Sequence, residues 1–277
     1  MAITLTNFLV KINNLLDDNL TGTTTADGST DKTTFIDSNL CKYDDGFFGD
    51  PERNIQWWAY VSSQLKSIKS FASATGEVMV YSAFSAQIAA STAYELHRFD
   101  RNKKIKAANQ ALNDCYPYFY KRIEDATTLD GKGSSDNEYT VPNTFTEFPD
   151  QIWQKHTATN VITYTQITDY DVTEIGGTFY FRANITLDDD IVLIGKKPLT
   201  AFTNDASTTE LTDTQAEVVA LLAASIMCRN LSATVNATDS GRFDSLANRY
   251  EQLYLARRLS TAMPILRPLS LDWSWNE

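Results

Sequence analysis

The stretch 213-DTQAEVVALLAASIMCRNL-231 decides how the rest of the chain is read, because it is apolar on nearly every side. Val218, Val219, Leu221, Leu222, Ile226, Met227 and Leu231 spread over more than one helical face, and a helix of that kind has to be covered by other elements. At about 1.5 Å per residue it is roughly 28 Å long. Asp213, Glu217 and Arg229 punctuate it, which separates it from a membrane span of about 20 apolar residues with few or no charges. Thr212 or Asp213 is placed to accept from the first free backbone N–H groups. The pattern predicts a buried central helix over 213–233.

Three amphipathic stripes are available to cover it. Leu5, Phe8, Leu9, Ile12, Leu15 and Leu16 predict a helix near 4–17, capped by Thr4 or Thr6. Ile105, Ala108, Leu112, Cys115, Tyr116 and Phe119 predict another near 101–120, with Asp100 as its cap and Pro117 able to kink or end it. Phe243, Leu246, Ala247, Tyr250, Leu253 and Tyr254 predict a third near 242–259. Between these lie two regions of strand composition, 33–97 and 150–198, with Gly176-Gly177 as a hairpin turn in the second. The tract TGTTTADGSTDKTT, starting at Thr21, has nothing to place in a core and is expected to be a mobile surface loop. Trp57 and Trp58 would point to opposite faces of a strand, one into the core. The expected fold is therefore α+β: a helical core of four helices with two β-rich excursions over 1–262 as one domain, and an extended C-terminal arm over 263–277. In that arm Pro264 and Pro268 forbid a helix, and Leu269, Leu271, Trp273 and Trp275 alternate with Ser270, Asp272 and Ser274.

Composition narrows the function. The net charge of −11 over 277 residues argues against general affinity for nucleic acid, whose phosphates need a basic face. Cys41, Cys115 and Cys228 are odd in number and in no metal-ligand spacing, so buried free thiols are expected. The N-terminus MAITLTNFLVKINN lacks the features of a signal peptide, which points to folding in a cytoplasm. No catalytic, cofactor or metal constellation is discernible. His97 and His156 stand alone as strand or surface residues, and the acidic clusters at Asp44, Asp45 and Asp50 and at Asp188 to Asp190 fit solvated turns rather than an ordered cation loop. Two features do point to partners. Arg98, Arg101, Lys103, Lys104 and Lys106 gather at the start of a helix, where the macrodipole disfavours cations by some tenths of a kcal/mol each, which marks a surface for an acidic partner. The other is the arm, whose Leu269, Leu271, Trp273 and Trp275 are costly to leave in water and suit docking on another chain.

The stretches YELHRFDRNKKIKAANQALNDCYPYFY, IGKKPLTAFTNDASTTELTDTQAEVVALLAASIM and RFDSLANRYEQLYLARRL resemble head-to-tail adaptor (neck or connector) proteins of tailed bacteriophages. The resemblance runs from Thr33 to Leu259 and is one of pattern, without an invariant catalytic motif. It implies a non-enzymatic structural virion protein, made in the host cytoplasm, that forms a homo-oligomeric ring, usually twelve-fold, at the head-to-tail junction. Its implied neighbours are the portal protein and a downstream neck or tail protein. DNA would pass through without sequence-specific binding, past an acidic channel wall, with the basic cluster turned to another protein. Neither cofactor nor membrane enters this picture. Another virion part, such as a tail terminator, stopper or head decoration, is the alternative. A glycan-degrading enzyme working through paired carboxylates is the third reading.

Overall fold

The computed structural model describes residues 2–52, 55–133, 137–158, 161–233 and 237–263. Four α-helices, α1 (Leu5–Leu16), α2 (Arg101–Asp114), α3 (Asp213–Ser232) and α4 (Ala237–Thr261), form one layer. Thr4 accepts from the Asn7 N–H to start α1, and Asp100 accepts from the Asn102 N–H at 2.8 Å to start α2. Thr212 and Gln215 make a reciprocal capping box at the start of α3. Helix α2 ends at Asp114, ahead of Pro117, and α4 begins before the expected 242. Helix α3 packs against the other three, and one apolar cluster takes Phe8 and Ile12 from α1, Ala108 and Leu112 from α2, Val219 and Ala223 from α3, and Tyr250 and Tyr254 from α4. No helix among the described residues is long and apolar enough to cross a membrane.

The strands, however, are not excursions from that core. Among the described residues strand makes up 33% and helix 30%, and each β region has an apolar cluster of its own. The expectation of a fold organised on a helical core is thereby corrected: the molecule is more β-rich, with two antiparallel β-modules beside the helical layer. The reason is that short β-branched and aromatic runs fill interiors between sheets, where the helices do not reach.

The first β-module is a six-stranded sheet in the order Leu20–Thr23, Ala93–His97, Trp58–Val61, Gln64–Ala72, Glu77–Val80 and Thr34–Ile36. It curls on itself. Just past its first strand, Ala26 bridges Ile36 of its last, and the Thr25 N–H donates to the Ile36 carbonyl at 2.9 Å. Phe35, Phe48, Val61, Ile68, Val78 and Leu96 fill the interior of this barrel. The Thr/Gly/Asp tract expected to be a mobile loop is instead the seam. Thr24 is buried, its hydroxyl donates to the Ala89 carbonyl at 2.7 Å and accepts from the Thr92 N–H at 2.9 Å, and Asp27 accepts from the Ala90 N–H at 2.8 Å. Short polar side chains took over backbone pairing there, which composition alone does not distinguish from a solvated loop. Of the tryptophan pair neither is fully buried: both are intermediate, with Trp57 set against Phe48 at 5.2 Å between ring centroids.

The second β-module is a sandwich. A four-stranded sheet, ordered Lys121–Leu129, Asp190–Lys197, Gln151–Ala158 and Val161–Ile167, faces a three-stranded one, ordered Glu138–Thr140, Thr178–Ala183 and Tyr170–Ile175. Tyr139, Phe145, Ile152, Phe181, Ile191 and Leu193 lie between them. The strand Asp190–Lys197 is apolar on both faces because Val192 and Ile194 point the other way, onto Tyr120 and, at the periphery, Trp153, Tyr164 and Met263. Gly176 and Gly177 have φ of 60° and 80° and form the expected hairpin turn between Tyr170–Ile175 and Thr178–Ala183.

Candidate assembly surfaces

The basic cluster at the start of α2 divides into an inner and an outer part. Lys104 is fully buried, and its ammonium lies 2.7 Å from the Asp18 carboxylate, itself 1% exposed. It also donates to Asn13 Oδ1 at 2.6 Å and to the Asp18 carbonyl at 3.3 Å. His97 Nδ1 stands 3.2 Å from Lys104 Nζ while its Nε2 stands 2.9 Å from Glu95 Oε2. An ammonium only donates, so Nδ1 accepts and the ring proton is on Nε2, directed at Glu95. Asp18 completes the joint by accepting from the Arg98 and Phe99 N–H groups, the latter at 3.0 Å. Burial lowers the pKa of Lys104 below its ordinary value, against the pull of Asp18 and Glu95 in the other direction. This network ties α1, α2 and the barrel strand Ala93–His97 together.

Arg101 makes a parallel tie. Its guanidinium donates to Asp205 Oδ1 at 2.7 Å and sits 4.1 Å from the centre of the Tyr60 ring, whose hydroxyl also donates to Asp205. Burial raises the Asp205 pKa, and the hydrogen bonds from Tyr60 and Arg101 outweigh it, so the carboxyl titrates below its ordinary range. Arg101 and Lys104 are therefore corrected from partner-binding residues to internal fastenings: a side chain 6% or 0% exposed is not on a docking face. Arg98 and Lys103 remain exposed, as does Lys106. The other four expected partner residues, Leu269, Leu271, Trp273 and Trp275, lie outside the described residues. The described chain ends at Met263, whose N–H donates to the Tyr118 carbonyl at 3.2 Å.

Two surfaces that the sequence reading did not single out emerge from the fold. One is the strand Val161–Ile167, VITYTQI, which ends the four-stranded sheet and carries no charge, proline or glycine. At the other end of that sheet, Lys121–Leu129 places Lys121, Arg122, Glu124 and Asp125 along the edge and shifts register between Asp125 and Leu129. Charges and bulges are the usual means of keeping an edge from pairing with another chain, and only one of these edges has them. Exposed apolar side chains gather on the same module: Ile162, Val172, Ile185, and Ile175 at 64% exposure. Strand composition gave a signal for the edge, but the topology that leaves it terminal did not show in the sequence.

The other surface is a groove of about 840 Å³ between the barrel and the helical layer. Phe47 and Trp57 line it from the barrel side, Phe243 and Leu246 from α4, and Arg98 and Phe99 from the junction between them. Asp44 and Asp45 stand on the barrel wall and Arg242 on the helical one. Asp45 is held in place by the Ser73 N–H at 2.6 Å, and that bond lowers its pKa.

The remaining candidates for chemistry have structural roles in view. His156 Nδ1 lies 2.6 Å from Asp189, and Lys155 pairs with Asp190 at 3.3 Å. No group of three metal-ligating side chains occurs among the described residues. Burial raises the thiol pKa of Cys115 to about 12 and of Cys228 to about 11, whereas Cys41, expected to be buried, is exposed at the end of a short 3-10 turn. No protein-family model and no curated protein matches this chain.

Proposed function

We propose that this chain is a structural, non-enzymatic ring component of a tailed-phage head-to-tail junction, bridging portal and tail around passing DNA. The observation that carries the reading is the uncharged terminal strand Val161–Ile167. A seven-residue edge without charge, proline or bulge is an aggregation hazard in a free monomer and an asset in a closed assembly, where a neighbour satisfies its N–H and C=O groups. Ile162 on this strand, and Val172, Ile175 and Ile185 elsewhere on the same module, are exposed apolar side chains. Head-to-tail contacts between unlike surfaces close into rings. The buried Lys104–Asp18 pair and the half-exposed Arg101–Asp205 pair fit this role, since they tie the barrel to the helices. The net charge of −11 suits a channel that DNA traverses without sticking.

The resemblance of the sequence to adaptor proteins implies the rest of the reading: portal above, neck or tail protein below, location in the virion. Electron microscopy of the purified chain, alone and added to portal rings, tests it. Rings of uniform size, stacked on the portal, are expected. A chain that stays monomeric and leaves portal rings bare would remove the proposal, and rings that seat only on a tail tube or capsid lattice would transfer it to another virion part.

A further inference from the structure

The buried joint between α1, α2 and the barrel brings together an amine, a carboxamide and two proton acceptors. The geometry points to a covalent amide bond between Lys104 Nζ and Asn13 Cγ, formed by the folded chain itself with loss of one ammonia. The inference concerns a bond within a single chain and stands apart from the ring reading.

The first observation is proximity. Lys104 Nζ lies 2.6 Å from Asn13 Oδ1. A carbonyl bond is about 1.23 Å long, so Nζ is within roughly 3.8 Å of the amide carbon whatever the angle between them. Both side chains are fixed there, Lys104 at 0% and Asn13 at 3% exposure, on two helices in contact. A nucleophile and an electrophile held so close react as though each were present at very high concentration, and the interior keeps out water, the competing nucleophile.

The second observation is the means of freeing the amine. An ammonium cannot attack a carbonyl carbon, whereas an uncharged amine can. Burial lowers the pKa of Lys104, which favours the amine. Two acceptors stand at its protons: His97 Nδ1 at 3.2 Å and the Asp18 carboxylate at 2.7 Å. The ring proton of His97 is on Nε2, so Nδ1 can take one from the ammonium. The imidazolium that results is stabilised by Glu95, 2.9 Å from Nε2, which the same hydrogen bond holds as a carboxylate below its ordinary range. This is the arrangement of a nucleophile, a base and a group that orients the base.

The step balances without an oxidant or co-reactant. Nζ donates its lone pair to Cγ, the Cγ–Nδ2 bond breaks, and its electron pair leaves with Nδ2. Of the three ammonium protons one stays on the new amide; the other two, carried by His97 and Asp18, end on the leaving nitrogen, which departs as ammonium. The bond joins positions 91 residues apart, and every strand of the barrel lies between them in the chain. It therefore closes a loop that contains the barrel and limits how far the unfolded chain can spread.

Mass spectrometry of the purified full-length chain tests this. The intact chain should be lighter than its sequence mass by one ammonia. A tryptic digest should contain residues 12–32 joined to residues 104–106, with fragment ions placing the link on Asn13 and Lys104. An unaltered mass after prolonged incubation overturns the proposal. So does a loss of ammonia without the joined peptide, which a succinimide at an asparagine would give. His97→Asn keeps an acceptor near Nζ that cannot carry the proton, and should slow formation about a hundredfold, read as the joined fraction at successive times after a pulse of synthesis. Formation at the parent rate in this variant, shown to be folded by circular dichroism, would overturn the proton route through His97. The digest of the parent chain decides whether the bond exists even if that variant does not fold.

Discussion

The two β-modules manage their edges in opposite ways. The barrel bends until Ala26, just past its first strand, bridges Ile36 of its last. The sandwich stays open, with a charged and bulged strand at one end of its larger sheet and VITYTQI at the other. Lys104–Asp18 and, through the Tyr60 hydroxyl on Asp205, Arg101–Asp205 fasten the barrel to the helices, and the barrel forms one side of the groove; the sandwich presents the uncharged terminal strand and the Gly176-Gly177 hairpin. On the proposed ring reading, the barrel guards itself by closing, and the sandwich edge would be covered by a neighbouring copy.

The largest effect should come from giving the open edge the guard its opposite already has. Ile162→Lys combined with Thr165→Lys places two cations on exposed positions of Val161–Ile167. Assembly into rings is expected to be lost while the melting temperature of the monomer stays within a few degrees, as surface substitutions cost about 0.5 kcal/mol or less. Thr127→Lys, on the already charged edge, should leave assembly intact. Sedimentation velocity distinguishes the two, and rings from the double variant would erase the contrast between the edges.

Next in size is the joint that makes barrel and helices one body. Asp18→Ala leaves the Lys104 ammonium at 0% exposure without its carboxylate, and breaking a buried pair from one side costs about 3–5 kcal/mol. Asp18→Leu together with Lys104→Met should recover most of that loss, because no uncompensated charge remains in the interior. Urea denaturation of the single and double variants measures both. A double variant as unstable as Asp18→Ala would mean that the Arg98 and Phe99 N–H groups, Asn13 and His97, deprived of their partners, cost as much as the stranded charge.

How much of this was open to reading from the sequence differs by module. The helices were legible because their caps and stripes are local: Thr212 with Gln215, Asp100, and Leu5 through Leu16. Arg101 and Lys104 also obey the α2 stripe, falling in phase with Ala108, Ala111 and Cys115, so their inward direction was in the periodicity. What periodicity omits is the partner, since Asp18 and Asp205 are distant in sequence and nothing local pairs them with α2. The barrel seam was misread for a related reason: Thr24 and Asp27 bond to backbone groups more than sixty residues away. The Gly176-Gly177 turn was legible because a two-residue hairpin is its own signal, whereas the order of strands in the sandwich, which makes VITYTQI an edge, depends on long-range pairing.

A glycine-to-alanine pair compares the packing of the modules directly. Gly76, in a barrel turn with φ of +67°, has the Asp37 carbonyl oxygen 2.0 Å from where a Cβ would stand. Gly177, in the sandwich hairpin with φ of +80°, has nothing within 4 Å. Gly177→Ala carries the backbone term alone, about 1 kcal/mol. Gly76→Ala adds displacement of the Asp37 backbone, whose N–H donates back to the Gly76 carbonyl at 3.1 Å, and is expected to cost about 3 kcal/mol in total. Equal losses in thermal melts would show that the barrel turn yields as readily as the free hairpin.

The smallest expected effect concerns the ion pair at the root of the sandwich. Glu210 lies 2.8 Å from Lys121, at the start of the module, and accepts from the Thr200 hydroxyl at 2.6 Å and the Thr200 N–H at 2.9 Å. Burial raises its pKa, but the Lys121 and Thr200 hydrogen bonds together outweigh that and bring it down to about 2. A carboxyl depressed on folding stabilises the folded state at pH values above its unfolded pKa, and this stability is lost as pH falls toward the folded one. For Glu210 the window runs from the ordinary glutamate range down to about pH 2. Glu210→Gln keeps the shape and removes the charge, so the variant should melt below the parent at pH 6 and converge on it as the pH drops through that window. Partly exposed ion pairs contribute about 0.2–1 kcal/mol, which makes the gap at pH 6 only a few degrees. Scanning calorimetry at pH 6 and pH 3 resolves it. A gap that stays constant over the range would assign Glu210 a packing role at the sandwich root, with no contribution from the charge that distinguishes this charged end of the sheet from the uncharged one.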